Sequence, residues 1–86
     1  MHFDINKYEG KYTMHCKTEE EAKDFFGYLR SVGRKWASGD DYSADNTRWY
    51  FHKTKTAYYF NEGLFGDTDY AERNNYTILE WSDFTR

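Results

Sequence analysis

The adjacent pair His15-Cys16 is the first place where this chain could do chemistry. A nucleophilic cysteine needs a base within hydrogen-bond reach and a depressed pKa. Both residues fall in an alternating stretch, and neighbours on a strand point to opposite faces. His15 is therefore badly placed to activate Cys16, and His52 would have to approach from another strand. A small buried thiol on the core side is the simpler reading. A metal site drawn from His2, His15, Cys16 and His52 would need four distant residues to converge. No pair has the close spacing of a structural zinc ligand set, so no metal and no cofactor is expected.

Carboxylates are the next resource. Asp40, Asp41 and Asp45 cluster in one polar stretch, but they lack the central glycine and closing glutamate of a calcium loop. Glu62, Asp67 and Asp69 could pair for hydrolysis, yet 86 residues leave little room for an enclosed substrate cleft. No phosphate-binding glycine loop, dinucleotide fingerprint or nucleophile elbow is present. The chain reads as a binding protein rather than an enzyme.

Two segments suit binding. Residues 48–53, Arg-Trp-Tyr-Phe-His-Lys, interleave rings with basic groups, as single-strand nucleic-acid binders do. An ordinary strand with rings inward and charges outward accounts for the same pattern, and is the simpler expectation. The acidic stretches 39–45 and 61–72 could instead meet a basic groove on a protein, their carboxylates standing in for phosphates. On that reading the partner-binding residues are Asp40, Asp41, Asp45, Glu62, Asp67, Asp69 and Glu72, with Trp49 and Tyr70 as ring anchors.

These residues must be positioned by a small set of elements. Residues 11–16 alternate, with Tyr12, Met14 and Cys16 on one face, and predict a half-buried strand. Thr18 followed by Glu21 is a capping box, and Glu19, Glu20 and Glu21 fill a first turn. A helix is predicted from about Glu19 to Val32. Its apolar stripe is Ala22, Phe25, Phe26, Leu29 and Val32, and Gly33 stands at the C-terminal cap. Residues 35–37 are a short strand candidate, and 38–46 a polar loop. Residues 48–52 and 56–60 are β-prone by composition. Asn61-Glu62-Gly63 turns into Leu64-Phe65-Gly66, residues 67–75 form an acidic connection with room for one helical turn, and 76–81 make a last strand. The expected fold class is α+β, one domain over 1–86. One α-helix packs on a mostly antiparallel sheet of four to five strands, in the order β-α-β-β-β-β.

Composition sets the outer bounds. Nineteen of the 86 residues are Trp, Tyr or Phe, so the core must be built largely from rings. That is more than one small core is expected to hide, and the surplus should reach the surface, where rings are enriched at interfaces. One cysteine cannot form an internal disulfide. No apolar run reaches the roughly 18 residues of a membrane span, and the first residues, Met1-His2-Phe3-Asp4, lack the basic and apolar regions of a signal peptide. A cytoplasmic location is expected. The net charge is −3, with no general basic footprint for nucleic acid.

The run from His15 to Lys23, then Gly33-x-x-Trp36, Gly39-Asp40 and the closing Ile78-Leu79-Glu80-Trp81-Ser82-Asp83-Phe84, resembles short accessory proteins encoded by phages and prophages of Gram-positive bacteria. The likeness spans about residues 12–84, and its motifs are structural. It implies a host-takeover factor working in the bacterial cytoplasm. Small acidic members of that kind are similar to anti-CRISPR proteins, which block a Cas nuclease. It carries no functional residue onto this chain. The expected function is inhibition of a host defence protein, a Cas nuclease foremost, by occupying its nucleic-acid site with an acidic and aromatic surface. Neither direct nucleic-acid binding nor membrane contact is expected, and the oligomeric state is open. The alternative is a sponge for a small immune-signalling nucleotide, using Arg48, Lys53, Lys55 and exposed tyrosines.

Overall fold

The computed structural model describes residues 3–85. Six regular elements follow in order: β1 (Tyr12–His15), α1 (Glu19–Ser31), β2 (Thr56–Tyr59), β3 (Leu64–Asp67), α2 (Thr68–Arg73) and β4 (Thr77–Glu80). Helix α1 begins where the capping box places it. The Thr18 hydroxyl accepts from the Glu21 N–H at 3.1 Å, and the Glu21 carboxylate accepts from the Lys17 N–H at 2.9 Å. It ends at Gly33 in the left-handed region (φ 78°), with the Gly33 N–H bonded to the Arg30 carbonyl and the Arg34 N–H to that of Leu29. This double closure satisfies carbonyls the helix end leaves free. Ala22, Phe25, Phe26 and Leu29 are buried, while Val32, the next position of the stripe, caps the helix and is exposed.

The strands form one mixed sheet in the order β3-β2-β1-β4. Strand β2 pairs antiparallel with both β1 and β3, but β4 runs parallel to β1, with Met14 opposite Leu79. The expected architecture, one helix on a mostly antiparallel sheet in the order β-α-β-β-β-β, is therefore corrected in three places. Residues 35–37 form no strand: Lys35 meets only Asp41 in an isolated bridge, because the chain turns back through a Trp36 N–H bond to the Asp40 carbonyl at 2.9 Å. Residues 48–52 form no strand either. They wind into 3-10 turns entered at Arg48 (φ 62°) and followed by Lys53 (φ 51°), left-handed conformations that end an extended run. Finally, residues 68–73 form a second helix, α2. It carries the chain across the sheet from the β3 edge to the β4 edge, which is why β4 arrives parallel to β1.

The two helices cover opposite sheet faces. On the α1 side, Met14, Cys16, Tyr58, Phe60 and Trp81 pack with the α1 stripe. Phe3 sits among the rings of Phe25, Tyr28, Phe60, Trp81 and Phe84, all with centroids within about 6 Å, the range of favourable edge-to-face pairing. The Trp81 indole N–H donates to Asp24 at 2.8 Å and fastens the end of β4 to α1. On the other side a smaller cluster of Ala57, Tyr59 and Ala71 packs with Tyr76 and Ile78 under α2.

Candidate functional site

His15 and Cys16 lie on opposite sheet faces, as alternation requires. The His15 ring is held between the Glu80 carboxylate, 2.8 Å from Nδ1, and the Thr54 carbonyl, 2.6 Å from Nε2. Cys16 is fully buried, and burial pushes its thiol well above the ordinary value, with the Glu21, Glu80 and Asp24 charges adding to the effect. Its electrostatics are the reverse of those that activate a nucleophile. Among the described residues no three His, Cys, Asp or Glu side chains converge on a metal position. His2, one of the ligand candidates, lies outside the described residues.

The residues that do converge surround β3, an edge strand. On the α2 side of it lies an open groove of about 300 Å³. Tyr59, Leu64 and Tyr70 give its apolar walls, and Glu62, Asp67 and Arg73 its charges. On the other side Trp36, Ala37 and Arg48 line a second hollow of about 190 Å³, which shares Leu64 and Phe65 with the first. The Arg48 guanidinium lies over the Trp36 ring at 4.7 Å and over Phe65 at 5.6 Å, a cation–π arrangement that fixes it against the rings. Gly63, at φ 72°, lets the turn before β3 approach residues 36–37 closely: a Cβ there would fall within 3.0 Å of the Ala37 Cα.

The sequence-predicted partner residues divide between this surface and other duties. Glu62, Asp67 and Tyr70 come together in the larger groove, and Asp69 and Glu72 stand on α2 beside it. Three of these acids are already bonded. The Asp67 side chain caps α2 by accepting from the Tyr70 N–H at 2.8 Å, Asp69 pairs with Lys55 at 3.1 Å, and Glu62 accepts from the Tyr76 hydroxyl. That last bond pushes the Tyr76 phenol up to about 12. Asp40, Asp41 and Asp45 stay apart from the groove at exposed positions of the 38–46 loop, where Asp41 faces Lys35 at 3.5 Å and Asp40 accepts from Ser38. Trp49 is half-buried against the core, its indole N–H donating to the Cys16 carbonyl at 3.0 Å, and so it is committed to the fold.

Tyr50 and Phe51 belong to the basic and aromatic segment 48–53, for which a strand with rings inward was the simpler expectation; they are instead 60% and 58% exposed, and Leu64, which the sequence did not single out, is 53% exposed. Tyr50 and Phe51 stack at 4.4 Å, and Phe51 reaches Phe65 at 5.6 Å, so the exposed rings are continuous with the β3 surface. One signal was available: three consecutive rings at 49–51 cannot all face inward on a strand of period two. No helix of the described residues is long and apolar enough to cross a membrane. Compared with protein-family models, curated proteins and solved structures, the chain matches none.

Proposed function

We propose that this chain is a non-catalytic binding protein that engages a protein partner through the acidic and aromatic surface around β3 and α2. The observation that carries this reading is the convergence of Glu62, Asp67 and Tyr70 in one open groove, with Asp69 and Glu72 on the adjoining helix. Four carboxylates stand there against the Lys55 ammonium and the Arg73 guanidinium, a formal charge of −2. A rim of that sign around exposed apolar side chains fits a basic partner surface: the apolar centre supplies affinity, and the charge supplies steering and choice of partner. A nucleic-acid-handling enzyme offers such a surface, so inhibition of a Cas nuclease is the activity we propose. A buried, unpaired Cys16 fits a reducing compartment such as the bacterial cytoplasm.

The test is interference against a plasmid target in cells expressing a panel of Cas nucleases, with and without this chain. At least one nuclease is expected to lose activity in its presence. The double variant Tyr70→Ala, Glu72→Lys should restore it, since both side chains are exposed and neither caps an element. Undiminished interference across the panel, or inhibition that survives the double variant, would remove this reading. The stacked and exposed Tyr50–Phe51 pair favours a second one, binding of a small nucleotide by ring stacking. Its mark would be a rise in melting temperature with cyclic or ADP-ribose nucleotides, about 2.7 kcal/mol of stabilisation at a hundredfold excess over Kd.

A further inference from the structure

We propose that β3 accepts an extended segment of the partner by strand addition, and that the segment alternates basic with apolar side chains. The inference rests on the protein-binding reading above and names the mode of contact. Strand β3 ends the sheet; the Ala37 N–H bonds the Gly63 carbonyl just before it at 2.9 Å, but among the described residues no segment other than β2 makes a main-chain hydrogen bond to Leu64, Phe65 or Gly66. Sheet edges left open in this way are usually guarded by lysine, proline or a covering element. Leu64, Phe65, Gly66 and Asp67 include neither lysine nor proline, and Leu64 is more than half exposed. An open edge flanked by hollows on both faces is the geometry by which added strands are recognised. Main-chain bonds hold the strand, and alternate side chains enter the two hollows.

The chemistry of the two hollows differs, and this sets the alternation. The α2-side groove combines the Tyr59 and Tyr70 rings with the Glu62 and Asp67 carboxylates, which outnumber the Arg73 guanidinium two to one, so it suits a lysine or arginine whose aliphatic stem lies on the rings. The opposite hollow has no carboxylate. It is walled by Trp36, Ala37 and Phe65, with Arg48 held over the rings, and suits an apolar side chain. A second copy of this chain is the poorer occupant, since its own β3, Leu64–Asp67, offers an acid and no basic side chain to the Glu62 and Asp67 carboxylates.

The probe is an acetylated, amidated hexapeptide alternating lysine and valine, titrated into the 15N-labelled chain. Amide shifts and slowed hydrogen exchange are expected at Leu64, Phe65 and Gly66. N-methylation of one alternate set of peptide nitrogens, the set that faces β3, should weaken binding at least about tenfold, the cost of a lost charge-free hydrogen bond. Methylation of the other set should leave it unchanged, and glutamate in place of lysine should abolish it. Equal binding by both methylated peptides would overturn strand addition in favour of side-chain docking alone. So would shifts centred elsewhere, no binding, or concentration-dependent self-association that protects the same amides without peptide. If the peptide fails while inhibition sensitive to Tyr70→Ala, Glu72→Lys persists in cells, strand addition falls and the partner reading stands. If both fail, both fall.

Discussion

Tyr42 packs between Phe26 and Trp36, with ring centroids 5.0 and 4.4 Å away, and is fully buried. Its hydroxyl has no hydrogen-bond partner among the described residues, and burial pushes the phenol up to about 12. A buried polar group left unpaired costs free energy, so the ring, not the hydroxyl, is what the core uses. Tyr42→Phe should therefore leave stability unchanged or raise it by up to about 1 kcal/mol in urea unfolding. A loss of more than that would mean the hydroxyl holds a bond of its own. Tyr58 shows the contrast: its hydroxyl donates to the Thr47 carbonyl at 2.7 Å, so it is buried with its polar group satisfied.

Helix α2 has only six residues, far below the length at which a helix persists unaided, so it depends on its cap and on Ala71 buried against the sheet. Asp67→Ala removes the side chain that accepts from the Tyr70 N–H and should cost about 1 kcal/mol, while Asp67→Asn should keep most of it. Denaturant midpoints check both, and equal losses in the two variants would assign the effect to charge rather than capping. The elements differed in how far the sequence announced them. Helix α1 carries a capping box, a stripe at spacings of three and four, and a closing glycine, all local signals that agree. β1 alternates in sequence, but the half-buried strand this predicts is corrected: β1 lies inside the sheet, and Thr13 on its other face is as fully buried as Met14. By contrast, the turns at 48–55 are entered through left-handed Arg48 and Lys53, a conformation neither residue type advertises. The parallel pairing of β1 with β4 joins residues more than sixty apart, and nothing local encodes it. The candidate surface was half legible for the same reason. Its acids show in the composition, but their union with Leu64, Phe65 and the stacked rings of Tyr50 and Phe51 depends on which strand lies at the edge.

A fold built from rings puts its tyrosines at risk from alkali. Tyr42 and Tyr76 are pushed up to about 12, the first by burial and the second by its bond to the Glu62 carboxylate. Tyr58 and Tyr59 are pushed up as well, chiefly by burial. In the unfolded chain a tyrosine ionises near 10. Below that pH both states hold the proton and these groups leave stability unaltered. Above it the unfolded chain sheds protons that the folded chain retains, so the unfolded state binds fewer and stability falls as pH rises. Stability is therefore undiminished below about pH 10 and is lost progressively as pH climbs through about 12. Far-ultraviolet circular dichroism should show cooperative unfolding in that window, with part of the tyrosinate absorbance rising in step with the loss of structure. Tyr42→Phe removes one such proton and should move the midpoint upward. Full tyrosinate absorbance with the fold intact would show that water reaches these phenols in the native state, and that the ring core opens without unfolding.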